Sequence, residues 1–418
     1  MFRLCYALLG ALLLTLPAEA QPDPLITTWQ LNTTGTTGYN NQAADVQRVQ
    51  YSAGSVYVSC SAIPAYTIGP WPGQPTQGPV AQNFTFRFTR TPQPNTGTPT
   101  VVPGGHIGCW KNGVSVFNAQ DATSYNNQGV WFQNAVVVEG RGFDACNGHP
   151  TPQEEYHNHV NPRCVYDDRD STRHAPIIGY AFDGYPIYGT YGYASATAGS
   201  GRIKSMKSSF RLRPITLRTT RPGSTVVLPA NQQGPAVSTR YPLGYYIYDY
   251  EYVAGLGDLD EHNGRWCVTP EYPQGTYSYF VTLNSFYEGV YPYTLGTSFY
   301  GVVPNYGNIG PNSGHVSINE SVTSYLGPLA TRRAAAGLTL SCAPNPASTT
   351  LTFTYTDTQR RALRAWLVSP LGQAVTPPVT VQATTPHTLE LGHLPAGVYF
   401  LWLEGDGVAT SEKVVVTR

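Results

Sequence analysis

The only regular alternation of apolar and polar positions along the chain has a period of two. Ser55-Val56-Tyr57-Val58-Ser59, Phe84-Thr85-Phe86-Arg87-Phe88, Val114-Ser115-Val116-Phe117, Tyr246-Ile247-Tyr248 and Tyr277-Ser278-Tyr279-Phe280-Val281-Thr282 each send alternate side chains to one face and predict strands. Pro72-Gly73, Asn112-Gly113 and Asn263-Gly264 read as turns between them. No stretch carries the 3.6-residue period of an amphipathic helix. The pattern predicts an all-β protein with long loops, most readily sandwich-like.

The first residues follow another pattern. Arg3 precedes an apolar run from Leu4 to Leu14, far short of the ~20 residues a membrane-spanning helix needs, and Ala18-Glu19-Ala20 is an A-x-A cleavage site. Residues 1–20 therefore read as a signal peptide, with a mature chain starting at Gln21 and no later transmembrane segment. Composition agrees with an exported globular protein. Lys+Arg and Asp+Glu number 25 each and make up 12% of the chain, about half the usual share. With no net charge and no basic run, the sequence argues against nucleic acid or anionic membrane as a partner. Gly (42), Pro (35) and Tyr (30) are abundant, but 41% hydrophobic residues supply a core, so the Gly and Pro punctuate strands rather than mark disorder.

A boundary falls at 324–337, where Leu326-Gly327-Pro328 and Arg332-Arg333-Ala334-Ala335-Ala336-Gly337 separate a Tyr-rich body, 21–323, from a C-terminal unit, 338–418. That unit contains Ala343-Pro344-Asn345-Pro346-Ala347, Ser369-Pro370-Leu371-Gly372-Gln373, Leu391-Gly392-His393-Leu394-Pro395-Ala396-Gly397-Val398-Tyr399-Phe400 and Lys413-Val414-Val415-Val416. In this order the blocks resemble the type A sorting domain of the type IX secretion system. The resemblance implies a small β-sandwich, handling by the type IX secretion machinery, passage across the outer membrane and cleavage of the domain at the cell surface.

In the body, Asp144-Ala145-Cys146-Asn147-Gly148-His149-Pro150, Glu155-Tyr156-His157-Asn158-His159, Asn161-Pro162-Arg163-Cys164 and the run from His174 to Gly189 follow one another. With Ile68-Gly69-Pro70-Trp71-Pro72, Asn112-Gly113-Val114 and Phe117-Asn118-Ala119 upstream, and Leu259-Asp260-Glu261 and Thr269-Pro270-Glu271-Tyr272-Pro273 downstream, the succession resembles the YHYH domain family from about Trp29 to Leu295. The chain departs from the family pattern in two places: Asn158 stands for the second Tyr of the naming motif, and His262 stands where a Cys is expected in Asp260-Glu261-His262-Asn263-Gly264. Asp144, Asn147-Gly148 and Tyr156 also recur at one offset as Asp260, Asn263-Gly264 and Tyr272, a short internal echo.

The histidines carry the candidate chemistry. Residues i and i+2 of a strand share a face, so His157 and His159 present two imidazoles side by side, a spacing suited to chelating Zn or Cu. His149 and His174 are the nearest further ligands, and Asp144, Glu155 and Asp183 could serve as ligands or orienting partners. Affinity is then expected to fall as pH drops through the ordinary His pKa of ~6.5. The bland alternative is that these rings only hydrogen-bond carbonyls and Tyr hydroxyls in a polar core. Asp258, Asp260, Glu261 and Asn263 crowd one loop, but their spacing fails the EF-hand pattern and reads as an acidic turn. No G-x-S-x-G, Walker or dinucleotide motif is present, leaving hydrolysis through a nucleophile elbow, nucleotide chemistry and nicotinamide redox without support. Tyr245, Tyr246, Tyr248, Tyr250 and Tyr252 could stack on sugars, although alternate Tyr more often pack.

Cys5 leaves with the signal peptide, and Cys60, Cys109, Cys146, Cys164, Cys267 and Cys342 remain, a set that allows 15 pairings. Cys146 with Cys164 is preferred, because they bracket the His motif and close a short loop; Cys60 with Cys109 is second. Loss of Cys342 with the sorting domain leaves an odd number, so one is free, metal-bound or intermolecular. The sequence thus points to a secreted protein of the outer cell surface whose YHYH-type domain binds a transition metal through its His cluster, with the question of an enzymatic role open. The competing reading is a polysaccharide-binding or adhesion module with structural histidines.

Overall fold

The computed structural model describes residues 23–73, 78–325, 327, 338–369, 374–405 and 408–418. The expected signal peptide, most of the 324–337 linker and part of the Ser369–Gln373 block lie outside the described residues. Twelve strands form the two main sheets of the body: β1 (Val46–Tyr51), β2 (Ser55–Cys60), β3 (Phe84–Thr89), β4 (His106–Trp110), β5 (Ser115–Phe117), β6 (His149–Pro150), β7 (Tyr156–Asn158), β8 (Ile177–Ala181), β9 (Pro186–Tyr188), β10 (Gly264–Cys267), β11 (Thr276–Phe280) and β12 (Thr323–Tyr325). One sheet has the order β12-β1-β2-β3, the other β10-β11-β9-β8-β4-β5-β7-β6. They face each other, with Val56, Val58, Phe86 and Phe88 of the small sheet meeting Tyr180, Phe182 and Phe280 from the large-sheet side.

The large sheet is covered on its other face as well, where Trp110, Ile178, Tyr156, Tyr277 and Tyr279 form a second core with the loops. Its strands β4, β8 and β11 are consequently buried at every position, whereas β1, covered on one side, mixes buried and exposed residues. Fully buried rings such as Phe86, Phe88 and Trp110 are worth roughly 1.5–3 kcal/mol each in water-excluded area. Among the described residues the α-helices are two single turns, Pro24–Thr27 and Ala135–Val138. Tyr246-Ile247-Tyr248, expected as a strand, instead enters a 3-10 turn over Ile247–Asp249. The cause is Asp249: its Oδ2 accepts the Gly244 and Tyr246 backbone N–H groups, and the same carboxylate takes a two-pronged ion pair from the buried Arg218. A carboxylate satisfied in this way fixes a turn that the Tyr alternation could not announce.

The large sheet is palindromic. Outward from the antiparallel centre β4/β8, each half runs through an antiparallel hairpin (β4/β5 or β8/β9), a parallel pair (β5/β7 or β9/β11) and a terminal antiparallel pair (β7/β6 or β11/β10). The turns match too. Asp144 Oδ1 accepts the N–H groups of Cys146 and Gly148, and Asp260 Oδ1 those of His262 and Gly264. Asn147 and Asn263 both sit at φ 63, a left-handed conformation Asn tolerates. The phenol of Tyr156 donates to Asp144 and that of Tyr277 to Asp260. The echo in the sequence is therefore real, but the partner of Tyr156 is Tyr277, not Tyr272.

The C-terminal unit is a small β-sandwich of its own. A three-stranded sheet (Leu338–Ala343, Thr350–Asp357, His387–Glu390) faces a four-stranded one (Leu363–Val368, Val379–Val381, Gly397–Gly405, Val408–Val416) across a core that includes Leu351, Leu367, Leu401 and Leu403. Asn345 of the Pro-Asn-Pro turn ties the two ends together, donating to Lys413 O and accepting from Val415 N.

Candidate metal centre

The site grows from the β6/β7 hairpin at one edge of the large sheet. Its turn is held by Thr151, whose hydroxyl accepts from Glu155 N and whose N–H donates to Glu155 O. At the other end, Asp144 fixes the chain entering β6 and anchors Tyr156. This register makes His149 the direct cross-strand partner of His157, and strand periodicity brings His159 to the same side. The ring centroids lie 4.4 Å (His149–His157), 4.8 Å (His157–His159) and 5.6 Å (His149–His159) apart. One nitrogen from each ring falls within 4.8 Å of the others. All three rings are buried, at 3%, 2% and 4% exposure, with Phe117 stacked on His157 and Phe143 against His149.

Their tautomers follow from their partners. His157 Nδ1 lies 3.2 Å from Glu155 O and His159 Nδ1 is hydrogen-bonded to Asn118 O; carbonyls only accept, so both Nδ1 atoms donate. In the neutral form, which has a single N–H, each ring then has a bare Nε2, and these two atoms face each other at 3.0 Å. His149 makes no hydrogen bond from either nitrogen. Its Nε2 lies 3.5 Å from Glu139 Oε2, which is 3.2 Å from His159 Nε2. Burial, helped by His159 and opposed by Glu139, pushes His149 down to about 4; burial and the neighbouring rings also hold His157 well below its ordinary value. Burial raises the Glu139 carboxyl, but a proton carried by His159 or His149 attracts the carboxylate strongly enough that the net shift is downward.

Of the residues singled out in the sequence, His149, His157 and His159 come together. His174 does not: its Nδ1 donates to Ala175 O and its ring packs on Tyr188 and Tyr193. Asp144 organises the turn. Asp183 is buried elsewhere, raised to about 6 by burial and accepting from Tyr279, Tyr185 N and Gly301 N. Glu155 contributes its backbone oxygen to His157, while its carboxylate pairs with His106 at 2.7 Å. Asn158, at the departure from the naming motif, is buried and donates to Cys146 O. The Cys146–Cys164 disulfide is present, whereas Cys60 and Cys109 are free and buried, as is Cys267. Asp258 pairs with Lys204 and Asp260 holds its own turn. Of the Tyr cluster, Tyr246 is buried against Trp131 and Tyr250 stacks on Tyr291 at 4.0 Å. Glu139 was missed: it follows three consecutive valines, in a segment without periodicity or motif.

Comparison with known families matches residues 85–291 to the YHYH protein family and residues 341–417 to the secretion system C-terminal sorting domain. The chain carries both domains. The YHYH domain encloses the whole eight-stranded sheet, from β4 to β11, and all three converging histidines. The sorting domain coincides with the C-terminal sandwich and implies handling by the type IX secretion machinery, with export to the cell surface. No curated protein matches the chain. Among the described residues no helix is long and apolar enough to cross a membrane.

Proposed function

We propose that this exported surface protein binds one divalent transition metal, Zn or Cu, in its YHYH domain through the Nε2 atoms of His157 and His159 and one nitrogen of His149. The observation that carries the reading is the pair of bare Nε2 atoms at 3.0 Å, each ring locked by a carbonyl at Nδ1. Two lone pairs at that separation repel unless a cation lies between them. A single proton on His159 Nε2 would serve His157 or Glu139 and still leave His149, 3% exposed, without a hydrogen bond at either nitrogen, a costly arrangement. A metal ion serves all three rings at once, and N-donor sets of this kind suit Zn and Cu.

Pseudo-symmetry weighs against purely structural histidines. The other half of the sheet builds the same hairpin with Arg265 after Gly264, and with Ser278 and Phe280 after Tyr277, so the fold itself does not require imidazoles there. Calorimetric titration of chelator-treated protein near neutral pH tests the reading. One equivalent of Zn or Cu is expected to bind to the wild type and none to the His157→Ala/His159→Ala double variant, which should stay folded. An absence of heat in the wild type, or loss of fold in the double variant with metal binding absent from both, would favour structural histidines.

A further inference from the structure

Glu139 lies outside the hairpin yet reaches into the cluster, and the chain is built to hold it there. Asn134 caps the single helical turn Ala135–Val138 by accepting Val136 N, and is itself fixed by the phenol of Tyr293. Glu139 closes that turn, its N–H donating to Ala135 O. The chain then runs through Gly140–Gly142 to Phe143, whose ring packs on His149 and lies nearly parallel to His159. The Oε2 atom that results is shielded from solvent and lies 3.2 Å from His159 Nε2 and 3.5 Å from His149 Nε2. When those rings are neutral and proton-free on that side, the buried carboxylate oxygen faces only lone pairs, and the cation that relieves the nitrogens relieves it too.

We propose that Glu139 Oε2 is the fourth ligand, giving an N3O set around Zn and tying the 135–143 segment to the edge strand β6. The inference rests on the metal-binding reading. Three neutral rings leave a divalent ion with its full charge in a buried site, and one carboxylate halves it. A closed four-ligand set is the form taken by structural zinc, in contrast to catalytic sites that keep a position open.

Co(II) is a spectroscopic stand-in for Zn: four-coordinate tetrahedral sites absorb strongly in the visible, and higher-coordinate sites weakly. The chelator-treated full chain loaded with Co(II) is expected to show the intense spectrum. Glu139→Ala, and Glu139→Gln, which keeps the side chain's shape, should both change the position or intensity of that spectrum and bind Zn roughly a hundredfold more weakly. Hydrogen exchange over 135–143 should slow with Zn in the wild type and not in Glu139→Ala. Unchanged spectrum and Zn affinity in both variants, with binding still lost in His157→Ala/His159→Ala, would overturn the role of Glu139 and leave the histidine site standing. Failure of the wild type to take up either metal would overturn both.

Discussion

His149 is a neutral imidazole kept from solvent, and its pKa of about 4 moves proton competition well below the ~6.5 of a free ring. A folded-state pKa below the unfolded one means that the unfolded chain binds the proton more readily. Its stabilising contribution is fully present above ~6.5 and is lost as pH falls toward ~4, at a cost of about 3 kcal/mol. Denaturant unfolding of the metal-free protein at pH 7 and pH 4.5 should show this loss, and His149→Gln should flatten the difference; equal pH dependence in both would count against the buried neutral ring. His157 and His159 were legible as a pair because i and i+2 share a face whatever the register. His149 gained its place only through the Thr151–Glu155 turn, which pairs it with His157. His174 is nearer in sequence to β8 than to the site, and its ring packs toward Phe280.

At the scale of elements, the two Asp-centred turns use glycine for the same reason. A Cβ at Gly148 would lie 2.3 Å from the Tyr156 ring, and one at Gly264 2.4 Å from the Tyr277 phenol. Gly148→Ala and Gly264→Ala should each destabilise the protein by about 1–3 kcal/mol, measurable by denaturant unfolding. Only Gly148→Ala should also weaken metal binding, since it displaces the strand that carries His149; equal effects on metal affinity would detach the site from this hairpin. The echo was visible in Asp, Asn and Gly, whose turn roles are local. Its Tyr was misassigned because the second turn is longer: Tyr277 follows Asp260 by 17 residues and Tyr156 follows Asp144 by 12. The Cys146–Cys164 bridge, spanning 18 residues, encloses this hairpin and is expected to contribute about 3 kcal/mol. Cys146→Ser/Cys164→Ser should lower stability by that order while metal still binds; no change in the unfolding midpoint would contradict the bridge.

For the whole molecule, an all-β fold was legible because short alternating strands and Gly/Pro turns recur throughout; the C-terminal strands close a core of their own, apart from the two of the body. The palindrome of the large sheet was not legible, since its parallel pairs join residues far apart in sequence. Separate cores also mean that deleting residues 338–418 should leave the body folded and able to bind metal while abolishing its display at the cell surface, as read by surface labelling and thermal unfolding. Continued display of the truncated chain would contradict the role of the sorting domain. Whether His149, His157 and His159 hold a metal in the cell is read by elemental mass spectrometry of the protein purified from its exporting cell without chelator. One Zn or Cu per chain is expected in the wild type and none in His157→Ala/His159→Ala; a metal-free wild type, or equal metal in both, would rule the site out.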